Sequence, residues 1–113
     1  MKRGDYVPER GDIVWLDFTP QAGHEQRGRR PAIVISPALY NGKTNLALFC
    51  PITSKTKGYP FEVIIHLKDL NGVILSDQIK SMDWKVRNAK LICRADKNTL
   101  ERVMSLVESL IFS

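Results

Sequence analysis

A chain of 113 residues with 43% hydrophobic and 26% charged side chains can bury one core but not two, so a single domain over residues 1–113 is expected and disordered or collagen-like classes are excluded. Seventeen Lys and Arg against twelve Asp and Glu leave a formal charge of +5, which favours encounter with polyanions without separating RNA from DNA or an acidic protein. No run has the apolar length needed to cross a bilayer and the start MKRGDYVPERGD lacks an apolar leader core, so a cytoplasmic protein with no membrane partner is expected.

In chain order, GDIVWLDF (11–18) reads as a first strand, because β-branched and aromatic residues run between Gly and Pro; Trp15 and Phe18 are expected in the core. Thr19 to Arg30 holds Pro20, Gly23, Gly28 and little apolar surface, the composition of a long surface loop. PAIVISP (31–37) is a short, continuous apolar run and predicts a strand covered on both faces. ALYNGKTN turns the chain into a third strand, LALFCPIT (46–53), and the polar loop SKTKGYP leads to a fourth, FEVIIHL (61–67). GVILSDQIK and AKLICRA complete the β pattern. Strands at such short intervals without long helices between them predict antiparallel pairing in a small barrel. Leu100, Val103, Met104, Val107, Leu110 and Ile111 then recur at helical spacing, with Asn98 and Glu101 as a capping-box-like start, predicting one amphipathic C-terminal helix. Cys50 and Cys93 sit singly in apolar runs and are expected as buried, reduced thiols.

The common catalytic signatures are absent. There is no P-loop, GxSxG, HExxH or paired Cys/His set at metal spacing, so neither a metal nor another cofactor is expected, and His24 and His66 are too isolated to suggest a two-histidine site. What remains is QAGHEQRGRRP, where Glu25, Arg27, Arg29 and Arg30 crowd among glycines before a strand. The ordinary fate of such a cluster is a solvated face. Against that, Arg30 abuts Pro31 at a strand entrance, glycines before it let a phosphate come close, and a guanidinium matches phosphate bidentately.

GDIVWLDF, GHEQRGRRPAIVIS, PITSKTKGYPFEV and GVILSDQIKSMDW resemble, in order and spacing, the MazF/PemK family of type II toxin–antitoxin toxins. The resemblance spans nearly the whole chain, although the final helix adds little to it. It implies a mainly β fold with short helices, an SH3-like or plasmid-toxin antiparallel barrel with a C-terminal helix, assembled as a homodimer. It further implies a sequence-specific, metal-independent endoribonuclease of the mRNA interferase type, which cuts single-stranded RNA and is held in check by an acidic antitoxin. The family's catalytic arginine aligns with Arg30 and its catalytic hydroxyl with Thr53. By position in the same blocks, Glu25, Gln26, Arg29, Lys57, Asp77, Gln78 and Lys80 are expected RNA contacts. Where some relatives carry histidine before the arginine, this chain has Arg29, so an accessory imidazole role does not transfer.

RNA cleavage without a metal uses the adjacent 2′-hydroxyl as nucleophile and needs charge stabilised on a five-coordinate phosphate, giving a 2′,3′-cyclic phosphate and a 5′-hydroxyl. Arg30 can supply that charge. Free arginine makes a poor base, and the general base is left unassigned. Two other readings stay open at this stage: a non-enzymatic toxin on the same barrel, such as a topoisomerase poison, and a plain basic RNA-binding barrel.

Overall fold

The computed structural model describes residues 5–18, 28–67 and 69–113. Seven strands and two helices follow in the order β1 (Asp12–Asp17), β2 (Arg29–Val34), α1 (Ala38–Thr44), β3 (Leu46–Thr53), β4 (Glu62–Leu67), β5 (Leu70–Leu75), β6 (Lys80–Asp83), β7 (Lys90–Arg94) and α2 (Lys97–Phe112). Every described strand pairing is antiparallel. The sheet runs β4-β5-β3-β2-β1-β7, with β6 also on β3, and curls into the half-barrel that short, hairpin-spaced strands predict.

Curling gives the sheet two apolar faces. Alternate residues Ile13, Ile33, Cys50, Ile52 and Ile74 pack with Val103 and Val107 of α2, whereas Val14, Leu16, Ala32, Val34 and Phe49 pack with Met82 and Trp84. The strand starting at Pro31 is therefore covered on both sides, and Ala32 to Ile35 are buried. Phe18 is half-buried against the second cluster, but Trp15 is not in the core: it is 38% exposed. It shares a face with Ile13 yet stands farther along β1, between Pro31 and Lys90, outside the cluster around the helix.

Several boundaries differ from the sequence expectation. Arg29 and Arg30 belong to β2 rather than to the preceding loop, because the β1 hairpin continues to pair Leu16 with Arg30 and Asp17 with Arg29. The turn ALYNGKTN is mostly helix α1, which has Gly42 and few strong helix formers and is held by tertiary bonds. Its buried Asn41 donates to the Pro8 and Ser36 carbonyls at 2.8 and 2.9 Å and accepts from Ser36 Oγ at 2.6 Å, while Trp84 Nε1 donates to its backbone oxygen at 2.9 Å. The helix ends on Asn45 in the left-handed region.

The run GVILSDQIK is not one strand. Thr53 opposes Val73 while Phe49 opposes Lys80, so a four-residue step along β3 is matched by a seven-residue step of the facing chain, and the excess is taken up in the four-residue Ser76–Ile79 turn between β5 and β6. At the C-terminus the cap is Asp96, whose carboxylate accepts from Thr99 N at 2.8 Å; the expected Asn98–Glu101 box lies inside the helix. That hydrogen bond lowers the Asp96 pKa. Cys50 and Cys93 are both free; burial pushes the Cys50 thiol up to about 12, whereas Cys93 is only half-buried.

Candidate nucleic-acid interface

The register of β2 against β3 builds the site. The β2–β3 ladder runs from Val34–Phe49 to Ala32–Pro51, and two residues beyond its end Arg30 and Thr53 alternate onto the same face as those pairs. Where that apolar face runs out, Arg30 and Thr53 open into a cleft of about 360 Å³. Its walls are Phe18 from the end of β1, Pro51 and Leu75, Lys55 and Tyr59 from the β3–β4 loop, and Gln78 and Lys80 from beyond β5. Clefts of this size, about 300–1,000 Å³, hold small-molecule groups.

Thr53 has a defined hydrogen-bonding state. Its Oγ1 accepts from Lys55 N at 3.1 Å, which leaves the hydroxyl proton to be donated elsewhere. The Arg30 side chain is exposed and meets no carboxylate or carbonyl among the described residues. Its neighbour points the other way: Arg29 Nη1 bonds Asp17 Oδ1 at 2.6 Å, and Nη2 donates to the Asn88 carbonyl at 2.9 Å. Asn88 Nδ2 completes the Asp17 carboxylate at 2.9 Å, and this bond, followed by Arg29, lowers the Asp17 pKa. Adjacent arginines on a pleated strand thus have separate jobs. Arg29 clamps the hairpin and Arg30 faces the cleft.

The loop after β3 is held by one carboxylate. Glu62 accepts from Thr56 Oγ1 at 2.7 Å, Lys57 N at 2.8 Å and Gly58 N at 3.0 Å, and Gly58 takes a φ of +78°, which few other residues tolerate. The backbone bond from Lys57, then the Thr56 hydroxyl, lower the Glu62 pKa. With three hydrogen bonds accepted and its charged form favoured by them, Glu62 organises the loop. Tyr59 Oη donates to Asp77 Oδ1 at 2.7 Å, joining this loop to the Ser76–Ile79 turn, and that bond raises the tyrosine pKa.

Of the residues expected from sequence, the structure brings Arg30, Thr53, Lys57, Gln78 and Lys80 to one cleft. Arg29 and Asp77 stand outside its lining, each bonded to a supporting partner. Glu25 and Gln26 lie outside the described residues. Lys55, Tyr59 and Glu62 escaped the sequence reading; the clustering of SKTKGYP between two strands was the available signal. Among the described residues no three His, Cys, Asp or Glu side chains converge as a metal-ligand set. A planar cation, a hydroxyl donor and three lysines around a half-apolar cleft instead present a surface for a phosphodiester with its bases.

Residues 9–111 match the family described as PemK-like, MazF-like toxin of type II toxin–antitoxin systems. The chain belongs to that family. It is 51% identical over 84 residues to the endoribonuclease toxin MazF of Escherichia coli K12, covering 74% of this chain and 76% of that protein. The crystal structure of MazF from Deinococcus radiodurans superposes with a TM-score of 0.85 at 51% identity, over 96% of this chain and 100% of the other. A MazE–MazF crystal structure from the same organism gives 0.84 at 44% identity, over 95% and 97%. The curled sheet with its two helices is thus the MazF fold, and no helix among the described residues is long and apolar enough to cross a membrane.

Proposed function

We propose that this chain is a sequence-specific endoribonuclease toxin of the mRNA interferase type, cutting single-stranded RNA by attack of the 2′-hydroxyl on the adjacent phosphate. The reading is supported by the placement of Arg30 and Thr53 on facing strands at the mouth of a lysine-lined cleft, and by relatives named as endoribonucleases. In the reaction a P–O2′ bond forms and the P–O5′ bond breaks, leaving a 2′,3′-cyclic phosphate and a 5′-hydroxyl; the 2′-hydroxyl proton departs and one is delivered to the 5′ oxygen. Arg30 supplies positive charge to the non-bridging oxygens as the phosphorus becomes five-coordinate, without a metal ion. Thr53, its oxygen already accepting from Lys55 N, donates its proton to one of them.

Lys57, Gln78 and Lys80 contact the RNA strand, joined by Glu25 and Gln26. Arg29 and Asp77 act at the margin, where their bonds to Asp17 and Tyr59 hold the hairpin and the loop in place. The chain works in the cytoplasm as one toxin domain in a homodimer. An acidic antitoxin segment silences it by competing for the basic cleft, consistent with the MazE–MazF complexes known for its relative.

The test is digestion of a mixed-sequence RNA in excess chelator. Cleavage that persists with chelator and falls by more than about 10²-fold in Arg30→Ala is expected, since one preorganised charge donor is worth about that much. RNA left intact but bound would make the protein a binding barrel; RNA left intact with growth arrest would make it a non-enzymatic toxin.

A further inference from the structure

A scissile phosphate carries a nucleotide on each side, and in-line displacement drives the two apart: the attacking 2′ oxygen and the departing 5′ oxygen lie at opposite poles of the phosphorus. A cleft on one side of Arg30 and Thr53 therefore accommodates one of the two flanking nucleotides. The structure has a second depression, of about 380 Å³, whose lining overlaps that of the first and continues in a different direction along the sequence. Arg30, Ile52, Thr53 and Lys55 line both, so the reactive pair is common to the two cavities.

The second cavity differs in character from the first. Beyond the shared residues its walls are Pro31, Ser54, Leu70 and Asn71, two apolar side chains beside a hydroxyl and a neutral amide. The apolar face of a nucleobase with a hydrogen-bonding edge has the complementary pattern, and an amide offers a donor and an acceptor to that edge. Asn71 is exposed and its side chain has no hydrogen-bond partner among the described residues. Its position relative to the reactive pair is set by the next residue. Gly72 lets β5 come so close to β3 that a Cβ there would lie 2.4 Å from the Thr53 carbonyl oxygen and 3.4 Å from Ser54 Cα. Asn71 is thus carried against the end of β3 by a backbone contact.

We propose that this depression is a base-reading subsite for one of the two nucleotides flanking the scissile phosphate, with Pro31 and Leu70 as the platform and the Asn71 amide as the reader. The subsite rests on the ribonuclease reading above. It divides the work of recognition: the lysine-rich cleft with Gln78 takes one neighbour of the cut, and the Asn71 cavity takes the other.

The experiment uses the full-length toxin and short single-stranded RNAs varied at the two positions flanking the cut, with kcat/KM measured for each in wild type, Asn71→Ala, Asn71→Asp and Arg30→Ala. Asn71→Ala is expected to slow cleavage of the preferred base about tenfold at one flanking position, flattening the preference there and leaving the other position unchanged. Asn71→Asp, which exchanges a donor for an acceptor, is expected to redirect the preference at that same position. Unchanged preference at both positions in Asn71→Ala would overturn the subsite, and so would an equal loss on every RNA, which would make Asn71 a general contact. These results differ from failure of the ribonuclease reading, which would appear as intact RNA with wild type or undiminished cleavage by Arg30→Ala.

Discussion

Gly72 carries no functional group, yet adding one methyl to it is expected to damage the catalytic site. Its φ is not in the left-handed region, so alanine is conformationally acceptable and only space is at issue. The added Cβ would stand 2.4 Å from the Thr53 carbonyl oxygen and 3.0 Å from its carbon. Carbon and oxygen ordinarily approach to about 3.3 Å, so the β3 and β5 backbones must separate by roughly 1 Å. Neither contact is the end of a flexible side chain that can swing away. The displacement falls on the short Ile52–Thr53 ladder, which joins β5 to the rest of the sheet and ends on the proposed catalytic hydroxyl. Overpacking of this kind costs about 1–3 kcal/mol, and misplacing a reacting group by about 1 Å can cost about 10²-fold in rate. Urea unfolding of Gly72→Ala gives the first quantity and single-turnover cleavage of a short RNA the second. A variant as stable and as fast as wild type would refute the close approach, and with it the positioning of Thr53.

Asn41→Ala removes a fully buried amide, takes the acceptor from the Ser36 hydroxyl proton and the amide donor from the Ser36 and Pro8 carbonyls, so a loss of about 2–4 kcal/mol is expected in urea unfolding, with little effect on cleft geometry. Glu62 holds the Lys57 loop with a depressed pKa; its contribution is therefore present above the ordinary carboxylate range and lost as pH falls through the lower folded value. Glu62→Gln is expected to raise KM for RNA more than it lowers kcat at neutral pH, and to flatten any acid-side weakening of RNA binding below the ordinary carboxylate range. Lys57→Ala and Lys80→Ala should each reduce the slope of log affinity against log salt by about 0.7, the value for one phosphate contact on a single strand, as read by binding titrations with an uncleavable RNA.

Legibility followed the range of the interactions. The third strand stands where Leu46–Thr53 reads, and the C-terminal helix follows the spacing of Val103 and Val107, because period and β-branching act within a few residues. The motif GRRP before an apolar run, and PITS at the end of another, mark Arg30 and Thr53 by family resemblance. Their meeting in one cleft is a matter of strand pairing, which no local pattern states. The same limit explains the rest. Arg29 and Arg30 are one residue type in sequence, and only the pairing with Asp17 and the pleat of β2 sends one to an ion pair and the other to the cleft.

By itself the sequence determined a basic, mainly β chain with one C-terminal helix, the toxin family and the residues that can serve a phosphate. Tertiary structure alone decided which of those residues meet. Asp77 became a partner for Tyr59, Glu62 the anchor of a loop, and Asn71 the wall of a second cavity. The reason is physical: periodicity and propensity reach a few residues along the chain, whereas a site is assembled by sheet register and close backbone approach between segments tens of residues apart.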